Sequence, residues 1–553
     1  MFARVAVRAG RQQCVPGATA VRCAGQLAGG TTAQASALNS TACVGALPTL
    51  PSHEDHSARP DTRCASPKDS HRVGGHATLQ KRVARQFGGV RRLSTAAVDG
   101  VRRADYAVIG GGPVGASTAW FLAENQSAVE VDSDAPEGTG TTVLVHDPTD
   151  RGAHEDWSRL ARLSFDGPID EFHLSQHALS LLDLVDEIRS YNPGAPVVPM
   201  KPGMVFVASP GTAMAEACAR GESYGDGNFV RREVAELEEL YPGNKFNLPP
   251  DTLCWSHPAG YCVSPIELAD TARSTAEAYG AEVLRGRATV DVSPDDSTRV
   301  RVTVEKGADA GTVIDAKHAF LFAGAQSKEV LRLAVERHPD GNSVLAMPEF
   351  DHTYITGIST VRYRHANHPS EPAAGSGHVA QPITLGQLHI PDICDFQANF
   401  SVVAEEDGDV YKTRLSGDVG TEVIDTVAGL HAPAMMEKDE QMKELYQRVF
   451  GTLFPHLECE TPLDFNRCVT YRNHNPVFSG TSILEKKLPG DDAGSLLTTV
   501  GCFGVGVKFG PALGQAAAAH VMGLDVEQGM HIFESGTDDV PPLEVSEIEE
   551  RAW

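Results

Sequence analysis

From Ala104 to Trp120 the chain reads ADYAVIGGGPVGASTAW. Gly110, Gly112 and Gly115 form G-x-G-x-x-G, directly after a short apolar run and directly before residues with helical spacing. Few patterns restrict a fold as narrowly. The first glycine permits a tight turn, the second lets the backbone approach a pyrophosphate, and the third lets helix and strand pack closely. Phosphates then meet the positive end of the helix. The stretch reads as the opening of a dinucleotide-binding β–α–β unit.

Such a unit needs an acidic residue at the end of its second strand, about 20 positions on, to hold the ribose hydroxyls. Two residues compete. Asp132 follows the short run AVEV, and Asp147 ends the better strand, TTVLVHD. We favour Asp147 and read residues 125–141 as an insertion ahead of that strand. Further on, HLSQHALSLLDLVDEI repeats apolar residues at Leu174, Ala178, Leu181, Leu182, Val185 and Ile188, the stripe of an amphipathic helix. PIELADTARSTAEAYG is a second helix, entered through Ser264 and Pro265 and closed by Gly280. EVLRGRATVDV, RVRVTVEKG and HAFLFAGA read as strands, and YITGISTVRYR and NFSVVAEEDGDVYKTRLSGD as antiparallel strands turning at Asp407-Gly408. EKDEQMKELYQRVFGTLF is a helix, and SLLTTVGCFGVGVKFGPALGQAAAAHVMG is strand, glycine loop, helix. The mixture predicts an α/β class. A Rossmann-like dinucleotide-binding domain is split in sequence over 104–165, 260–335 and 465–525. An inserted antiparallel, β-rich substrate domain covers 166–259 and 336–464.

Charge sets the ends apart. Residues 1–100 carry 13 Lys and Arg against 5 Asp and Glu, while the remainder carries 34 against 68. A basic, small-residue-rich leader without early acids has the composition of an organelle transit peptide. The expectation is an extended, disordered segment over 1–100 with a mitochondrial matrix address, a plastid being the alternative. Residues 526–553 read as a loose acidic tail. The net charge of −26 argues against a nucleic-acid surface. No apolar run of 18 residues is present, so no membrane span is predicted. The 11 cysteines include no C-x-x-C pair, which disfavours a zinc site.

Four blocks carry a family likeness: YAVIGGGPVGASTAWFLA, EDWSRLARLSF, LFAGAQSKEVL and GCFGVGVKFGPALGQA. In this order they resemble the FAD-dependent D-amino-acid-oxidase superfamily, and within it the sarcosine and pipecolate oxidase branch. The likeness spans about residues 104–525. It implies FAD as cofactor, held by Gly110, Gly112, Gly115 and Asp147, with Ser158, Arg159, Val290, Gly324, Gly504 and Gly506 at matching places. It implies that Arg159 lies against the flavin and that Arg162 and Lys508 take the substrate carboxylate, a role that suits a guanidinium fork. Lys412, in DVYKTRLSG, matches a lysine that helps oxygen react by stabilising developing negative charge. His154 and His474 are lesser candidates near the flavin.

RCVTYRNHNPVFSG resembles the segment bearing the covalent-flavin cysteine and a substrate-facing tyrosine, here Cys468 and Tyr471. The family spaces them by two residues and this chain by three. One extra residue on a strand sends the next side chain to the opposite face. Either a bulge absorbs it, or only one of the two side chains faces the flavin.

The resemblance implies oxidation of the C–N bond of a small carboxylate-bearing amine, N-methyl or cyclic, with oxygen or an electron carrier as second partner. A dehydrogenase feeding a carrier protein is one alternative. A FAD-binding assembly factor for mitochondrial respiratory complex I, without amine turnover, is another.

Overall fold

A computed structural model describes residues 97–98, 100–132, 141–149, 159–191, 194–242, 244–337, 344–364, 382–390, 393–405, 408–453, 464–473, 482–501, 506–525 and 530–536. The chain divides into two compact units, Met1–Arg72 and Val73–Trp553, and all described residues belong to the second. The leader expected over 1–100 lies almost wholly outside them, as do Ser158, His154, His474 and Gly504.

In chain order the first elements are β1 (Ala97–Val98), β2 (Val101–Ile109), α1 (Pro113–Asp132), β3 (Thr142–His146), β4 (Arg159–Arg162) and α2 (Ile169–Ser190). Next come β5 (Met204–Ala208), α3 (Ala213–Gly221), β6 (Val230–Arg232), α4 (Val234–Leu240), β7 (Leu253–His257) and β8 (Gly260–Val263). The middle of the chain supplies α5 (Pro265–Ala278), β9 (Glu282–Arg285), β10 (Arg287–Val292), β11 (Val300–Lys306), β12 (Val313–Leu321) and α6 (Ser327–Glu336). The long strands β13 (Thr353–Arg364), β14 (Ile383–Ile390), β15 (Ile393–Glu405) and β16 (Gly408–Gly417) precede β17 (Thr421–Ile424) and α7 (Pro433–Leu453). The last elements are β18 (Asp464–Asn473), β19 (Ser482–Lys487), β20 (Ser495–Thr499), α8 (Gly510–Val521) and β21 (His531–Glu534).

Two large sheets organise these elements. The first runs β21-β19-β20-β12-β2-β3-β9, with β1 on β2 and the β10–β11 meander feeding β12. Its centre is parallel: β20, β12, β2, β3 and β9 all point the same way. A parallel sheet is buried on both faces, which explains the near-continuous apolar runs of its strands. Val108, Leu144 and Phe320 point into one core, shared with α1, α2, α5 and α8. Their neighbours Ala107, Ile109, Val143, Val145, Ala319 and Leu321 point into the core on the other face. The second sheet runs β17-β13-β16-β15-β14-β5-β7-β6, with β18 on the other edge of β13. It is antiparallel apart from the β14–β5 pair. Helix α7 covers it, burying Met435, Met442, Leu445, Tyr446, Val449, Phe450 and Leu453 along one stripe.

Several expectations change. Helix α1 continues to Asp132, so the AVEVD run is helical and Asp132 does not end a strand. Gln126 accepts a 2.8 Å hydrogen bond from the Thr142 hydroxyl, which pins this extra length to β3. Strand β18 pairs with β13 in the second sheet, although residues from 465 on were grouped with the FAD-binding domain. The acidic tail is not loose throughout: β21 adds to the first sheet parallel to β19. Ser535 and Gly536 then donate to the buried Glu349 carboxylate at 2.7 and 2.8 Å. Helix α5 starts as expected, with the Ser264 hydroxyl accepting from the Glu267 N–H and Pro265 in the first turn. No described helix is long and apolar enough to cross a membrane.

Helices α1 and α8 meet backbone to backbone. A Cβ on Gly514 would stand 2.6 Å from the Thr118 nitrogen and 2.8 Å from the Ser117 Cβ. Gly514→Ala is therefore expected to destabilise the protein by about 1–3 kcal/mol through overpacking. A denaturant-unfolding midpoint equal to the parent's contradicts this close approach.

Candidate functional site

A cleft of about 560 Å³ separates the C-terminal ends of β2, β3 and β12 from the second sheet. One end is the glycine turn. Gly110 sits at φ +116°, a conformation that favours glycine, and a Cβ there would overlap the Phe322 carbonyl. The turn is tied on both sides: Gly110 N–H donates to Val145 O at 2.9 Å, and Phe322 N–H donates to Ile109 O at 2.8 Å. Gly115 does not line the cleft, but a Cβ on it would overlap the Gly110 carbonyl, so α1 rests on the turn itself. Asp147 follows β3 at the cleft wall, and its Oδ1 accepts from the Thr149 N–H and hydroxyl at 2.9 and 2.7 Å. Gly112, Arg287, Ala288 and Gly324 complete this end. A turn free of Cβ atoms, the start of a helix and an acid at the end of the second strand together fit an FAD.

Val290 is a correction. It lies on β10 in the core on one face of the first sheet, and it does not line the cleft. Arg287 and Ala288, earlier on the strand, are the β10 positions at the wall.

The other end gathers charge. Strand β4 brings Arg159 and Arg162 to the cleft, and the loop before α8 brings Gly506 and Lys508. Arg162 donates end-on to Asp166, Nη1 to Oδ1 at 2.7 Å and Nη2 to Oδ2 at 2.9 Å. Nη1 also donates to Leu163 O at 2.9 Å, and the guanidinium lies 5.2 Å above the Phe206 ring. Burial works against the Asp166 charge, yet Arg162 beside it holds the carboxyl below the ordinary range. Lys508 is buried and donates to the Ser164 hydroxyl at 2.7 Å, which donates to Glu171 at 3.0 Å. Burial, reinforced by the neighbouring Arg162, pushes the Lys508 ammonium down to about 8. Each buried cation thus has an anion near it, as desolvated charge requires.

The second sheet supplies the opposite wall. Strand β18 pairs with β13 in unbroken register from Asp464 opposite Arg362 to Asn473 opposite Thr353. No bulge absorbs the extra residue, so Cys468 and Tyr471 face opposite ways. Cys468 lines the cleft with Thr470 and Arg472. Tyr471 is fully buried in the core of the first sheet, 5.9 Å from the Phe350 ring, and is withdrawn as a substrate-facing residue. Lys412 belongs to β16, opposite Ser401 and Arg364, and its side chain lies outside the described ones. Arg414, two residues on, is buried and lines the cleft.

Asp166, Ser164, Glu171 and Arg414 were not singled out from sequence. Asp166 and Glu171 follow Arg162 by four and nine residues in SRLARLSFDGPIDE, so an acid close behind a candidate arginine was the available signal. Arg414 was hidden by Lys412 in the same tetrapeptide.

Residues 105–520 match the model of the FAD dependent oxidoreductase family, DAO. The chain belongs to this family, and its cofactor is FAD. No curated protein matches it. Solved structures with the same fold include NikD, an unusual amino acid oxidase essential for nikkomycin biosynthesis, in its open form. It has a TM-score of 0.55 at 16% identity, over 79% of this chain and 98% of that one. Iminodiacetate oxidase (IdaA) from Chelativorans sp. BNC1 aligns with a TM-score of 0.53 at 16% identity, over 78% and 100%. L-proline dehydrogenase from P. horikoshii aligns with a TM-score of 0.51 at 12% identity, over 77% and 96%.

Gly110→Ala is expected to leave the protein without bound flavin, because the new methyl and the Phe322 carbonyl compete for one space. Absorbance in the flavin bands, relative to protein, measures it. A parent-like ratio contradicts the placement of the cofactor at this turn.

Proposed function

We propose that this flavoenzyme oxidises the C–N bond of a small amino acid, with an N-methyl or cyclic secondary amine as the preferred substrate and oxygen as acceptor. One observation carries the reading. Two cations from distant parts of the chain, Arg162 and Lys508, line the same largely buried cleft that the glycine turn opens into. Such cations are costly to keep in a dry site, and a carboxylate ligand would reward them. The FAD supplies the redox chemistry, a two-electron acceptor for the C–N bond. The chain's residues bind and orient: Arg162 and Lys508 hold the substrate carboxylate, while the apolar residues Met214, Leu385 and Phe396 also line the cleft. Water then hydrolyses the imine, and oxygen takes the electrons to give hydrogen peroxide. The basic leader suggests that this happens in an organelle, the mitochondrial matrix in our reading.

The deciding experiment follows flavin bleaching in the holoprotein, without oxygen, across a panel of primary, N-methyl and cyclic amino acids. Bleaching by a secondary amino acid, with peroxide formed on readmitting air, is the expected result. Bleaching with dye reduction but no peroxide points to the dehydrogenase that passes electrons to a carrier. Bleaching by none of them refutes the substrate class. Arg162→Met and Lys508→Met are each expected to weaken substrate binding about 10- to 150-fold, the worth of a charge-assisted hydrogen bond. Flavin content should be kept. Lys508 loses its proton as pH rises through about 8. Affinity for a carboxylate should therefore fall above that pH in the parent and stay flatter in Lys508→Met. Parent-like binding in both variants overturns the clamp.

Cys468 is the candidate for a covalent flavin bond, since of the two residues in its block it alone reaches the cleft. Acid precipitation of the holoprotein should leave yellow colour in the pellet, and Cys468→Ala should release it. Colour passing wholly to the parent's supernatant excludes the bond.

A further inference from the structure

The Arg162 guanidinium has five N–H donors. Asp166 takes one from each terminal nitrogen, and Leu163 O takes the second on Nη1. The Nε–H and the remaining Nη2–H form a second edge, which has no hydrogen-bond partner among the described residues. Asp166 therefore fills one fork and leaves the other. Its own side chain is 26% exposed and lines the same cleft as Arg162. A carboxylate with a bound partner and an open flank repels a second anion and attracts a cation.

We infer that Asp166 is a specificity-determining residue, which makes the cleft select α-amino acids in their zwitterionic form over carboxylates that lack an amine. An α-amino acid carries its ammonium one carbon from its carboxylate. The side-by-side Arg162 and Asp166 offer the complementary pair: carboxylate to the open Arg162 edge, ammonium to the Asp166 flank. The other charged groups at this end are Lys508, Glu171, Arg159 and Arg414. Without Asp166 the end is strongly cationic and favours any anion. The depressed Asp166 pKa keeps its charge in place at neutral pH. The inference rests on the amino-acid reading above and adds to it the basis of discrimination.

The test uses holoprotein reduced beforehand with dithionite, so that no turnover occurs, titrated without oxygen in a calorimeter. The probes are isosteric pairs: N-methylglycine with butanoate, and proline with cyclopentanecarboxylate. The parent is expected to bind the amino acid of at least one pair about 10- to 150-fold more tightly than its isostere, one charge-assisted contact's worth. Asp166→Asn is expected to lose that preference and to bind the plain carboxylate more tightly than the parent does. If the unpaired guanidinium stops Asp166→Asn from folding, the double variant Arg162→Met/Asp166→Asn removes both charges. It is then expected to bind the two members of a pair equally and weakly. A parent that binds both members equally, or a variant that keeps the preference, overturns the inference alone. A parent that binds neither member of either pair overturns the amino-acid reading, and the inference with it.

Discussion

The contact on which the rest of the molecule depends is the one between Gly115 and the Gly110 carbonyl. It has no room for a Cβ, and it sets α1 down directly on the turn that leaves β2. Helix α8 meets the same helix through Gly514, again at backbone distance. Close-packed interiors transmit such constraints rather than absorb them. The start of α8 is thereby fixed relative to the start of α1, and Lys508, two residues before α8, is fixed relative to the glycine turn. The cofactor end and the charged end of the cleft are held in register by glycine contacts, with the long parallel sheet as their common base.

The charged end obeys a second constraint. Cations in a largely dry cleft need anions, and this chain provides them from the segment that follows β4. Asp166 and Glu171 serve Arg162 and Lys508, with Ser164 relaying between Lys508 and Glu171. Ser164 is itself positioned from α2, where the Ser175 hydroxyl accepts its N–H at 3.0 Å. The aromatic stack of Phe165 on Phe229, centroids 3.9 Å apart, anchors the same segment in the core. A short stretch therefore supplies a cleft-lining arginine, its counter-ion and the packing that keeps both still. Disturbing any one of these shifts the electrostatics of all.

Much of the framework was legible in the chain itself. The G-x-G-x-x-G pattern, the continuous apolar strands and the capped helix at Ser264 rest on local rules of backbone freedom, period and capping. Local rules act within a few residues and leave clear marks. The blocks holding Arg159, Arg162 and Lys508 were legible through family likeness, and the cleft does bring them together. Strand β21 was missed because its four residues sit among acidic and polar ones, and pairing with β19 is what makes them a strand. Val290 was misplaced by two residues along β10, a shift along the strand that apolar alternation alone does not detect.

Cys468 and Tyr471 mark the boundary between the two kinds of knowledge. Their spacing in the chain already required a bulge or opposite faces, because strand side chains alternate. The choice between them depended on whether β13 and β18 pair without interruption, which is a property of two strands more than a hundred residues apart. The ion pair of Arg162 with Asp166 is similar: the residues stand four apart, but only the packed cleft turns them toward one another and toward the ligand space. By itself the sequence determined the dinucleotide turn, the alternating architecture and the family, because these follow from backbone geometry and short-range pattern. Which side chains share one cleft, which carboxylate neutralises which cation and which face of β18 lines that cleft were decided by tertiary structure, because burial and charge pairing arise between segments distant in the chain.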